Sequence, residues 1–235
     1  MGTKLAEAEF DSIDDLLVSL GGVSPKRVRW SPKPGTATVR DVVRLRDKTR
    51  RIYELVDGTL VEKILGAKKS FVAKNLSKHV QRWNDDSGDV GMILGEAGTV
   101  MLMGELVRAA DLSFTNWDRV PGRVLPDDPV PDLAPDLAVE VLSEGNTRAE
   151  MERKLKEYFL SEVQLVWYID PRKRTVRVYT SPDAVTELAE ADTLTGGAVL
   201  PGFAVKVARL FDHLAPAAKP AKAPKAAVKK PKKRK

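Results

Sequence analysis

Glu140 is the residue most suggestive of chemistry. It lies within Leu137-Ala138-Val139-Glu140-Val141-Leu142, a run that otherwise reads as a strand buried on both faces. An ionised carboxylate there is costly unless it is paired or bound to a cation. The alternatives are a strand-edge glutamate reaching water and a structural ion pair. Asp111 poses the same question: in VRAADLSF it stands between Ala110 and Leu112 at the start of a second apolar strand. A turn-capping aspartate is the simpler explanation at that position. Two such carboxylates on neighbouring strands of one sheet would form the kind of oxygen-ligand site that Mg²⁺ or Mn²⁺ prefers.

A cation belongs beside them. In the helix expected over 147–161, Met151, Leu155, Tyr158 and Phe159 form the apolar stripe. Lys154 falls roughly 85° from the stripe centre, at the border of core and solvent, while Arg153 points nearly opposite. Lys154 is therefore the cation able to lean over a site at the sheet, or it is a boundary lysine that snorkels to water. Thr147 and Glu150 fit a capping box, a sufficient structural role for Glu150. Glu54 lies in YELVDGTLVEK, where Asp57-Gly58 signals a two-residue hairpin that puts Glu54 on one face with Val56 and Val61. His79 reads as a boundary histidine beside Leu76 and Val80. Nothing pairs Ser, His and Asp as a hydrolase triad would require. With no cysteine and two histidines, thiol catalysis, disulfides and Cys- or multi-His metal sites are excluded.

The elements that must position these residues form a mixed pattern. Helical periodicity follows Thr38 and recurs through Val72, Leu76, Val80 and Trp83. Residues 90–114 read as strands broken by Gly95 and Gly98, and five prolines between Pro121 and Pro135 read as a long surface loop. Then come the strand 137–142, the helix 147–161, a strand over 163–169 and a hairpin partner at 175–180. A last hairpin and a short helix end near Leu214. Antiparallel hairpins flanking one strand–helix–strand crossover predict an α/β fold around one sheet. Residues 1–35 form an arm with a short amphipathic stretch, a Gly-Gly stop and a linker, to be packed on the domain or on a partner subunit. The domain itself spans 36–214.

Charge divides the chain. Of 39 basic residues, nine fall in the Lys/Pro/Ala-rich segment 215–235, which holds no acid; the rest of the chain carries 30 basic and 33 acidic residues. The segment is too polar to offset the entropy of ordering and is expected to be a disordered arm with sequence-independent affinity for nucleic acid. A solubilising appendage or a targeting signal has the same composition. No run approaches the roughly 20 apolar residues of a membrane span. The N-terminus lacks the apolar core of a secretory signal, so a cytoplasmic location is expected.

YELVDG, VRAADLSF, APDLAVEVLS, NTRAEMERKLKEYFLSEVQLVWYIDP, TVRVY and VLPGF occur in an order that closely resembles the Uma-type restriction endonuclease family, a branch of the PD-(D/E)XK nucleases, over about residues 36–212. The resemblance implies a restriction-endonuclease-like core, a mixed β-sheet flanked by α-helices. The family's Pro-Asp acid matches Asp111, with Ala110 in place of the proline. Its strand glutamate matches Glu140, its helix lysine Lys154 and its Tyr-Glu-Leu acid Glu54. Ser161-Glu162 stands where the family usually has Ala-Gly. Implied with these are Mg²⁺ (or Mn²⁺) held by Asp111 and Glu140, DNA as substrate and hydrolysis of its phosphodiester bonds. A homodimer fits double-strand cleavage. The rival expectation is a catalytically silent DNA-binding or scaffold protein that keeps the nuclease fold.

Overall fold

The run around Glu140 is apolar on both faces because both faces are covered. The structure, a computed structural model, describes residues 10–215. The disordered tail expected over 215–235 therefore lies outside the described residues, apart from Ala215. The first half contains α1 (Ile13–Ser19), α2 (Val39–Thr49), β1 (Tyr53–Val56), β2 (Thr59–Glu62), α3 (Ala67–Asp86), β3 (Gly91–Gly95), β4 (Val100–Met101), β5 (Val107–Arg108) and β6 (Leu112–Asn116). After the proline-rich segment come β7 (Leu137–Val141), α4 (Arg148–Leu160), β8 (Leu165–Asp170), β9 (Thr175–Tyr179), β10 (Val185–Leu188), β11 (Thr193–Gly196) and β12 (Leu200–Lys206).

Six strands form the central sheet in the order β10-β9-β8-β7-β6-β3. β7 and β8 run parallel, as a crossover through α4 requires, and their other neighbours are antiparallel. Leu137, Val139 and Val141 face the core formed with Val72, Leu76 and Val80 of α3. Ala138 faces the other way, toward Met151, Leu155 and Tyr158 of α4, and the pleat puts Glu140 on this same side. Each such buried aliphatic contributes about 1.5–3 kcal/mol, enough for the strand to tolerate one carboxylate among them. A smaller antiparallel sheet, β2-β1-β5-β4, carries Glu54. Its hairpin turns at Asp57 and Gly58, both at positive φ (46° and 63°), and pairs Glu54 with Val61 as the two-residue turn predicts.

Three expectations change, the first that of one sheet, since the described strands form three sheets of six, four and two strands. The strand expected from Val163 begins at Leu165, because residues 161–163 close α4. The segment between Pro121 and Pro135 is not merely a surface loop: Val130 and Leu133 are buried, and Met101 hydrogen-bonds to Pro131 and Leu133. Of the two packings left open for the N-terminal stretch, the one on its own domain is seen, where Leu16, Leu20, Val23 and Val28 meet Val56 and Val61. It approaches α4 so closely that a Cβ on Gly21 (φ 81°) would lie 2.6 Å from the Glu150 backbone.

α4 ends with the Val163 amide bonded to the Tyr158 carbonyl and the Glu162 amide to that of Phe159, a closure that needs a left-handed residue at 162. Glu162 meets the need at φ 65°. A side chain in that region costs about 1 kcal/mol that glycine avoids. Glu162→Gly is expected to raise the free energy of unfolding by roughly that amount, read as a higher urea midpoint with an unchanged slope.

Candidate active site

Four elements bring charge to the α4 side of β7. Glu140 Oε1 accepts from Lys154 Nζ at 3.1 Å and from the Tyr158 hydroxyl at 2.8 Å, one helical turn apart on α4. Lys154 Nζ also donates to Glu54 Oε1 at 2.7 Å, which ties the small sheet to the large one. Glu54 Oε2 accepts from Arg108 of β5 at 2.7 Å, and Arg108 continues to Glu157 through its Nε at 2.9 Å. Glu157 in turn accepts from Arg153 at 2.7 Å. Glu54, Arg108, Glu140 and Lys154 are all at least 96% buried.

Asp111 sits where β6 begins. Its amide bonds to the Val139 carbonyl at 2.9 Å, and its Oδ2 accepts the Val141 amide at 2.7 Å, so it flanks Glu140 across the ladder. Two lysines approach it. Lys69, in the first turn of α3, is 3.0 Å from Oδ2; Lys63, one residue beyond β2, is 2.9 Å from Oδ1 and bonds to the Ala109 carbonyl. The Lys63 ammonium lies off the line of a hydrogen bond to Oδ1, so this buried oxygen accepts none.

The sequence thus pointed to Asp111, Glu140, Lys154 and Glu54, and all four fall in one connected cluster. It missed Lys63, Lys69, Arg108, Glu157 and Tyr158. Lys69 was detectable, lying three residues before Val72 on the buried stripe of α3. Arg153, expected to point nearly opposite the apolar stripe, pairs with Glu157 and with Asp57 at 2.8 Å. Glu150 is capped as expected only in part. Thr147 Oγ1 accepts its amide at 3.0 Å, but its carboxylate grips Arg27 in a bidentate pair at 2.9 and 2.8 Å instead of returning to the cap. His79 stays outside the cluster, half-buried on α3, its pKa lowered by burial and by Arg209.

The cluster fixes its own charge states. Burial pushes the Glu54 carboxyl up, but Lys154, Arg108 and Lys63 outweigh it and hold the pKa well below the ordinary range. Burial likewise raises Glu140, and the ammonium groups of Lys154, Lys63 and Lys69 bring it down. Burial alone would lower Lys154; Glu140 and Glu54 instead raise it above the usual lysine value, so it is a cation at every physiological pH. Burial and the nearby Glu140 keep Tyr158 protonated.

The donor set suits a small hard cation. Asp111 Oδ1 accepts no hydrogen bond, though the Lys63 ammonium lies 2.9 Å from it, and no described residue donates to Glu140 Oε2. Among the described residues no three carboxylate or imidazole groups gather into a cage. Mg²⁺ does not need one, since it is commonly held by one or two carboxylates, water and substrate phosphate.

Residues 39–208 match the family described as "Uma2: Putative restriction endonuclease". The chain belongs to this family. Among solved structures, the Uma2 chain is similar to "a putative nuclease belonging to DUF820 from Anabaena variabilis". The identity is 17%, the TM-score 0.61, and the match covers 69% of this chain and 91% of that one. It shows that the mixed sheet and its helices form a nuclease-like fold. No protein of curated function matches the chain. No described helix of this Uma2 protein is long and apolar enough to cross a membrane.

Because Glu54 has a depressed pKa in the folded state, the unfolded chain binds more protons in acid, and stability rises with pH there. Its contribution is fully present above the unfolded value of about 4.3 and is lost as pH falls below it. The melting temperature is expected to hold near neutral pH and fall below about pH 4.3, with a shallower fall in Glu54→Gln. An equally steep acid limb in that variant would show that Glu54 is not paired as described.

Proposed function

We propose that this protein is a metal-dependent endonuclease hydrolysing phosphodiester bonds of DNA, with Asp111 and Glu140 as the ligands of Mg²⁺ or Mn²⁺. The observation that carries the reading is a buried lysine cation, Lys154, bonded to Glu140 beside Asp111 in a chain of the restriction endonuclease family. Bound by those carboxylates, the ion supplies a Lewis acid for the phosphate and a water of lowered pKa.

The chain's own groups do the rest. Lys154 has no lone pair to offer at neutral pH, so its part is charge: a compact ammonium that steadies the negative charge building on the phosphate oxygens. Glu54 keeps that ammonium charged and fixed in direction, held itself by Arg108. Tyr158 donates to Glu140 Oε1 and leaves Oε2 for the ion. The burial of all these groups makes each charge act through protein rather than water, which strengthens its effect.

Nicking of supercoiled plasmid by the purified protein is expected to require Mg²⁺ or Mn²⁺. It should fall by at least about 10²-fold in Asp111→Ala and Lys154→Ala, the scale on which loss of a positioned charge acts. DNA binding without cleavage by any form would replace this reading with that of a silent DNA-binding protein. Cleavage surviving both substitutions would place the chemistry elsewhere.

The nine cations of 215–235 are proposed to add affinity for the DNA backbone without reading sequence. Deleting them is expected to weaken duplex binding and to reduce the log–log salt slope by up to about 8, from about 0.9 per cation. Equal binding by full-length and truncated proteins at low and moderate salt would remove the tail from the mechanism.

A further inference from the structure

The buried cluster is already neutral. Its buried acids are Glu54, Asp111, Glu140 and Glu157, and its buried bases Lys63, Lys69, Arg108 and Lys154. Two of the four bases serve Asp111, which needs only one. Lys63 stands in cation contact with the oxygen of Asp111 that accepts no hydrogen bond, where a metal ion would bind. Lys69 differs from the other three bases in one respect: it also lines a cleft of about 270 Å³ bounded by residues 64–69, 142–144 and 171–172. Lys68 and Arg172 line the same cleft together with Glu144, which pairs with Arg172 at 3.3 Å, so cations outnumber the one acid an entering anion meets.

We propose that Lys63 and Lys69 are the resting counter-cations of Asp111, and that they make metal loading depend on the phosphodiester: a divalent ion takes Asp111 as Lys69 passes to a phosphate at the cleft. The inference rests on the nuclease reading and extends it to two residues and an order of binding. A divalent ion entering the substrate-free cluster adds two positive charges to a balanced site and lies against both ammonium groups. When a phosphate arrives as well, Lys69 gains an anionic partner outside the cluster and its charge no longer opposes the ion at Asp111. Lys63 is tied to the Ala109 carbonyl and stays. Lys69 would then touch substrate, whereas Lys63 is a positioning residue.

The test is calorimetric titration of the full chain with Mn²⁺, with and without a duplex whose scissile linkages are replaced by non-cleavable ones. Without duplex the wild-type protein is expected to bind Mn²⁺ weakly, and Lys69→Met to bind it about tenfold more tightly, because one opposing charge is gone. Lys69→Arg, which keeps the charge, should bind as the wild type does. Adding the duplex should tighten Mn²⁺ binding by about tenfold in the wild type and much less in Lys69→Met. Lys63→Met should also tighten Mn²⁺ binding without duplex, and it serves alone if Lys69→Met lacks a cooperative melting transition.

Equal Mn²⁺ affinity in the wild type and in the folded Met variants overturns the inference. So does a wild-type affinity indifferent to duplex. If the wild-type chain nicks plasmid in either case, the nuclease reading stands without it. A wild-type chain that neither nicks plasmid nor takes up Mn²⁺ with duplex present overturns both.

Discussion

A carboxylate in the middle strand of a sheet must be neutralised where it stands, and the neutralisation of Glu140 draws in the six-stranded sheet, the four-stranded sheet and α4. Its partner Lys154 is shared with Glu54, Glu54 with Arg108, and Arg108 with Glu157, back on the helix that carries Lys154. At separations of 2.7–3.1 Å and an effective dielectric of about 20, one such pair attracts by about 5–6 kcal/mol. Desolvating two ions costs several kcal/mol each, so the two terms nearly cancel. The net gain in stability is therefore small. Losing a single partner is another matter, since it leaves a buried charge alone and costs about 3–5 kcal/mol. The circuit adds little to the depth of the fold and much to the cost of any other arrangement of the small sheet against α4.

That cost explains features remote from the site. α4 must hold Lys154 at one angle, and it is fastened at its start and at its middle. At its start Glu150 grips Arg27, and Thr147 bonds to the Gly21 carbonyl, a contact that only a glycine allows at that approach. Farther along, Arg153 bonds to the Ser19 carbonyl, Asp57 and Glu157. The N-terminal segment is thus a strap across the helix, and the Asp57-Gly58 turn gives it a second anchor. Backbone glycines and surface-seeming arginines serve the geometry of one buried ammonium.

The elements were legible in the sequence because their periodicities are strong. β7 shows both covered faces in five residues, and the hairpin shows its register through Asp57-Gly58. The acids were legible for a related reason: Glu140 and Asp111 interrupt apolar runs, and an interruption is conspicuous. Their basic partners were harder to find, because a lysine or arginine is ordinarily a solvated residue. Lys63 lies one residue past β2, where extending the hairpin register by a single step opposes it to Ile52 and puts it on the face of Glu54 and Val61. Arg108 belongs to a strand of two residues, too short for any alternation to be read. Glu162 carried a sign of a different kind, a side chain where the family prefers glycine, and the left-handed turn at the end of α4 gives it meaning.

Charge in this chain acts on two scales that do not interfere. Outside residues 215–235 the chain has 30 basic and 33 acidic residues, so taken together it offers a polyanion little attraction. The basic excess is confined to the last 21 residues. Ions in solution screen exposed charges beyond about 8–10 Å, so on the proposed reading that excess would act only on a strand close to it and weaken as salt rises. Charges inside the cluster are screened far less, because water and salt ions are kept out. On the same reading, affinity for a nucleic-acid backbone and the electrostatics of the buried centre can be changed separately, the first through residues 215–235 and the second only by residues on the strands and helices around Glu140. On the proposed reading, a centre neutral on its own holds free cations weakly and gains affinity for them when an anion is brought to it.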